Sequence, residues 1–117
     1  MKRDDEYLRE LLVEFEARDD WLIVVAEHLN MSADERRRHY HVLLLCDAEL
    51  LAPVAKSTYR ITSAGHDFLE ATRDAGIWAK TKEVVAREGG SATLDILKEL
   101  ATGLLRKQIE ERTGLKL

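Results

Sequence analysis

A mostly α-helical fold with a small β-hairpin wing is the class this sequence predicts, and three observations predict it. The stretch opening at Ser32 begins with a helix N-cap and runs into the apolar series Val42-Leu43-Leu44-Leu45-Cys46. Two short β-prone runs, Leu51–Ala55 and Thr58–Ile61, follow and are separated by only Lys56 and Ser57, a hairpin signal. Thr62 then stands where it can cap another helix, with Gly65 about a turn later. Helix, two-stranded wing and Thr-capped helix, in that order, outline a winged helix-turn-helix followed by C-terminal helices.

Taken in order, the first helix starts at Asp4 or Asp5 and reaches about Ala17. Tyr7, Leu8, Leu11, Leu12 and Phe15 recur at three- and four-residue steps and make one apolar face, leaving Glu10, Glu14 and Glu16 to solvent. Trp21 to Leu29 is ambiguous. Its first half is aromatic and β-branched, its second half helix-forming, and the order VVAEHLNMS favours a helix that stops at Asn30 in left-handed geometry. In the helix after Ser32, Asp34 and Glu35 suit the positive end of the dipole. Its apolar run extends to Leu51, and Pro53 prevents further continuation. After the wing, a helix over Thr62–Asp74 is interrupted by Gly76, and Ile77-Trp78 opens the next. Gly89-Gly90 breaks that one. Ser91 or Thr93 caps a last helix to roughly Arg112, with Leu94, Leu97, Leu100, Ala101, Leu104, Leu105 and Ile109 on a broad apolar face.

Length and composition fit one soluble domain. The 117 residues are 45% hydrophobic and 34% charged, enough for a core without staples. The reading is a single domain over 1–117, with its core over 4–75 and a helical extension over 76–112. No apolar run is long enough to span a membrane, and MKRDDEYLRE lacks an apolar signal region, so a cytoplasmic location is expected. Net charge is −4, and it is unevenly spread: residues 1–31 hold four basic and nine acidic side chains, residues 32–60 five basic and four acidic. The basic surplus is local and small.

Several segments resemble a known family: YHVLLLCDAELL, YRITSAGHDFLEATRD, IWAKTKE and SATLDILKELATGLL, in that order. They are similar to small bacterial and prophage-encoded winged-helix proteins catalogued only as a domain of unknown function. Tyr40-His41, the block Gly65, His66, Phe68, Leu69 and the block Trp78, Thr81, Lys82 carry the resemblance, which covers roughly Asp4 to Leu105. It implies a fold and no activity. Three departures stand out. The chain is about two residues longer between Ser32 and Tyr40, and Arg36–Arg38 fall where an inward apolar residue is expected. Glu49 takes the place of a helix-ending glycine, so a looser helix end is expected there.

Arg36-Arg37-Arg38-His39-Tyr40-His41 is the strongest functional signal. Arginines near a helix N-terminus suit guanine edges and phosphates in a major groove. The reading is a double-stranded DNA-binding transcriptional regulator, with Arg36, Arg37 and Tyr40 on DNA and Lys56 and Arg60 on flanking phosphate. The alternative is a non-enzymatic protein-interaction module, such as a phage accessory factor, that binds an acidic protein partner. Three adjacent arginines about 100° apart suit an irregular surface, and Arg38 falls on the Val42–Leu45 side, its stem along apolar neighbours. Leu43 and Leu44 project sideways and need cover from the C-terminal helices or a second subunit, so a homodimer through the last helix, with or without the first, is expected. His39 and His41 diverge, and no ligand set at zinc spacing accompanies them, so neither metal nor cofactor is expected. His41 and His66 read as hydrogen-bonded structural residues. Cys46 reads as an inert core thiol. No phosphate loop or nucleophile–base pair suggests an enzyme.

Overall fold

The computed structural model describes residues 1–89 and 93–117, so Gly90 and the alternative cap Ser91 lie outside the described residues. The elements run α1 (Asp5–Glu16), β1 (Ile23–Val24), α2 (Ala33–Asp47), β2 (Leu51–Ala55), β3 (Thr58–Ile61), α3 (Ser63–Thr72), α4 (Ala75–Arg87) and α5 (Leu94–Thr113). The chain is therefore mostly helical with a small antiparallel sheet. It divides into two compact units, 1–69 and 70–117.

In the first unit, Asp4 caps α1 by accepting from the Tyr7 backbone N–H at 3.1 Å. The apolar spacing read from the sequence becomes a buried stripe of Leu8, Leu11, Leu12 and Phe15. Trp21–Leu29 does not form the helix favoured for it. Ile23 and Val24 form β1, which pairs with Tyr59 and Thr58 of β3, and residues 25–32 are irregular. Backbone partners on β3 decide in favour of the β-branched half, a choice that local sequence leaves open. Asn30 is left-handed, at φ 61°, but ends no helix. The sheet order is β1-β3-β2, so the wing has a third strand on its β3 side.

Ser32 caps α2, and Glu35 returns the bond to the Ser32 N–H, a reciprocal capping box. Pro53 is not what stops this helix: it lies inside β2, opposite Tyr59, on an edge strand where a missing N–H is tolerated. The stop is Glu49, at φ 63°. Its N–H donates to the Cys46 carbonyl and the Leu50 N–H donates to the Leu45 carbonyl, both at 2.9 Å. That pair of bonds is the Schellman closure normally made with glycine. The helix end is thus closed by specific bonds, not loose, and carries the strain of a side chain in left-handed geometry.

The next helix is locked to this corner. The Thr62 hydroxyl accepts from the Gly65 N–H at 2.9 Å and donates to the Glu49 carbonyl at 2.6 Å, while the Thr62 N–H donates to the Leu50 carbonyl at 3.1 Å. Gly65 is required by this approach: a Cβ there would lie 2.3 Å from the Leu50 oxygen. Between these corners the hairpin matches its predicted strands. Ala55 pairs with Thr58 across Lys56-Ser57, and Ser57 takes φ 55°.

In the second unit, Asp74 caps α4 by accepting from the Ile77 N–H, so Gly76 falls inside the helix and Asp74 marks its start. Thr93 caps α5, which ends at left-handed Gly114. Ala71, Ile77 and Ala101 form a buried cluster, with Leu104 and Leu105 packed on it. Leu94 and Leu97 are buried as expected, whereas Ile96 and Ile109 on the same helix stay exposed. No helix among the described residues is long and apolar enough to cross a membrane.

Candidate functional site

The arginine run on α2 is divided by the helix twist into inward and outward members. Arg37 donates to an Asp4 carboxylate oxygen at 2.8 Å, and its guanidinium lies 3.9 Å from the centre of the Tyr7 ring. Arg38 forms a two-pronged pair with Glu14, one contact at 3.1 Å and the other to the second carboxylate oxygen, and sits over Phe15 at 5.3 Å. Both are therefore bound to α1. Only Arg36 of the three faces outward, its guanidinium donating to the Met31 carbonyl at 2.8 Å.

The carboxylates respond to these partners. The Tyr7 backbone N–H, then Arg37, hold Asp4 below the usual aspartate range. The hydrogen bond from Arg38, then its charge and that of Arg18, lower Glu14 in the same sense. Beneath them His41 is fully buried. The Asp4 backbone N–H donates to its Nε2 at 3.0 Å, its Nδ1 lies 2.8 Å from the Arg37 carbonyl, and Tyr7 packs edge-on at 5.0 Å. One donor and one acceptor select the Nδ1–H tautomer of a neutral ring. The structural role expected of His41 is thus what the fold gives it. His66 differs: it is exposed, with Nδ1 3.6 Å from Glu16, beyond hydrogen-bond reach.

The outward side of α2 presents Arg36, Tyr40, Leu43 and Asp47, one face at steps of four, three and four. Tyr40 is 38% exposed and Leu43 41%. Leu44 is half-buried, so the lateral leucines part company: one gains cover and one does not. Lys56 is exposed at the hairpin tip. Arg60 is also exposed but lines a cleft of about 410 Å³ with Glu16, Arg18, Trp21 and His66. Cys46 is half-buried, and burial first and Asp47 second push its thiol up. Among the described residues, no group of three or more His, Cys, Asp or Glu side chains is arranged to hold a metal ion.

Sequence reading missed Asp4 and Glu14 as the partners that claim Arg37 and Arg38. They lie 33 and 24 residues away, and no local pattern pairs them. It also missed the link ahead of α2, where His28 bonds Glu35 at 2.6 Å. The Ser-x-x-Glu spacing that announces the capping box was the available signal there.

A helical domain with a small hairpin wing, whose α2 offers a mixed polar and apolar face, is the class of protein these features define. A family model matches residues 2–91, and the chain belongs to that family, DUF2513, described as hypothetical proteins. No curated protein and no solved structure gives a significant match.

Proposed function

We propose that this chain is a non-enzymatic docking module that engages a protein partner through the outward face of α2. The observation that carries the reading is the commitment of Arg37 and Arg38 to Asp4 and Glu14. What remains outward is one cation, Arg36, one anion, Asp47, and the apolar pair Tyr40 and Leu43. Duplex binding draws its affinity from cations set against phosphates, and this face is close to neutral. Interface cores instead favour aromatic anchors beside arginine in an apolar setting. The partner chemistry that fits is an apolar pocket for Tyr40 and Leu43 with a carboxylate for Arg36.

Duplex DNA is the second reading, favoured by the joint exposure of Arg36, Tyr40, Lys56 and Arg60. In either case a homodimer through α5 would draw on Ile109, which is 38% exposed; sedimentation equilibrium measures it.

The test has two arms. Nuclease-treated affinity capture with the full chain should retain a partner that Tyr40→Ala and Leu43→Ala each lose, by more than about 1 kcal/mol. Arg36→Ala should mainly slow association. A partner recovered equally well with both apolar variants overturns the docking face. Titration with random duplex DNA at low salt should give no tight complex, and a complex that weakens steeply with salt would establish the DNA reading instead.

A further inference from the structure

His28 lies in the irregular link between β1 and α2, and both of its ring nitrogens face acceptors. Nδ1 is 2.8 Å from the Leu29 carbonyl oxygen, and Nε2 is 2.6 Å from a Glu35 carboxylate oxygen. A neutral imidazole has one N–H and can satisfy only one of them. Both bonds form together only when the ring is an imidazolium. His41 is the internal contrast, since it faces one donor and one acceptor and is complete as a neutral ring.

The bond from His28 belongs to a larger fastening. The other Glu35 oxygen accepts from the Ser32 N–H at 3.1 Å, and the Ser32 hydroxyl accepts from the Glu35 N–H at 3.1 Å. Arg36 holds the Met31 carbonyl at 2.8 Å. The link is thus tied at His28, Met31 and Ser32 to the first turn of α2. Left-handed Asn30, at φ 61°, lets the chain double back between these ties. Leu29, held beside them, is 89% exposed.

We propose that His28 is a proton-operated latch: charged, it pins the link to α2 and fixes how Leu29 and Arg36 are presented; neutral, it releases one of its two ties. Glu35 is the charged side chain that faces it from α2. Arg36 is engaged with the Met31 carbonyl, and Glu27, the acid next to it in the link, lies 3.9 Å from His39. The Glu35 hydrogen bond first, and the Leu29 carbonyl second, raise His28 above its ordinary value of 6.5. The same bond, with those from Ser32, lowers Glu35 from 4.5. A raised histidine stabilises fully below its unfolded value and loses that contribution as pH rises through the folded one. A lowered glutamate stabilises above its unfolded value and loses it as pH falls through the folded one. The latch is therefore at full strength between about pH 4.5 and 6.5 and opens on the alkaline side.

Both side chains are 50% exposed, so the effect is modest. Its bearing on partner binding rests on the docking reading above, whereas the latch itself does not. The test is an NMR titration of His28 in the full chain, with amide exchange of residues 29–36 followed from pH 5.5 to 8.5. The His28 midpoint should fall in Glu35→Gln. Exchange, corrected for its intrinsic pH dependence, should quicken by roughly 1.5- to 5-fold as His28 loses its proton, and His28→Ala should abolish that pH dependence. Equal midpoints in the wild type and Glu35→Gln, or the same pH dependence in His28→Ala, would overturn the latch. These readouts come from the link and the first turn of α2 and need no partner, so a latch that works beside a docking face that fails would overturn only the docking reading.

Discussion

On the inward side of α2, Arg37, Arg38 and His41 are each bonded to α1, whereas on the outward side Arg36, Tyr40 and Leu43 meet solvent. Neighbours in sequence thus do opposite work. A helix turns about 100° per residue, so a run of three arginines cannot act as one patch. The inward pair meets Glu14 of α1 and its cap Asp4, which the sequence places in the most acidic third of the chain. The acidic first helix and the basic start of α2 are therefore complementary surfaces of one unit. The charge left for a partner is much smaller than the run suggests.

The largest effect that sharpens this contrast lies at adjacent positions. His41→Ala should destabilise the protein by about 2–4 kcal/mol, because it opens a cavity and leaves the part-buried Asp4 N–H without its acceptor. Tyr40→Ala should cost about 1 kcal/mol or less, since that side chain is already partly in water. Denaturant midpoints of the two variants check the pair, and equal losses would break the division into faces.

Next in size is the stitch between Arg38 and Glu14. Solvent reaching the half-exposed Glu14 carboxylate screens it, so a double-mutant cycle of Arg38→Ala with Glu14→Gln should return about 0.5–1 kcal/mol of coupling at neutral pH. Because Glu14 is lowered in the folded state, this contribution is present above the ordinary glutamate value of 4.5 and is lost as pH falls through the folded one. Repeating the cycle at about pH 3 should shrink the coupling. A coupling that survives acid would mean that packing of Arg38 on Phe15, not charge, holds the faces together.

The smallest effect is at the end of the helix. Glu49→Gly relieves the side chain at φ 63° but adds freedom to the unfolded chain. The net result should be a gain of about 0.5 kcal/mol, read as a higher thermal midpoint with no change in Tyr40-dependent binding. A loss of stability would show that the Glu49 side chain makes a contact that outweighs its strain.

Local chemistry alone determined much of this protein. The cap at Ser32, the narrowing of the first cap to Asp4 or Asp5 and of the last to Ser91 or Thr93, the apolar stripe of α1 and both hairpin strands were legible because each depends on residues within a turn or two of one another. The Gly-His block could be recognised, but the reason for its glycine, the Leu50 carbonyl 2.3 Å from where a Cβ would stand, came only from the fold. So did the strand at Ile23–Val24, which exists because β3 offers it partners 34 and more residues away. The candidate face was half legible: the sequence picked out Arg36, Tyr40 and Leu43 and set Arg38 on the Val42–Leu45 side, but could not separate Arg37 from the outward set. That separation depends on which acids α1 brings alongside α2, and pairings across 24 and 33 residues leave no trace in local spacing.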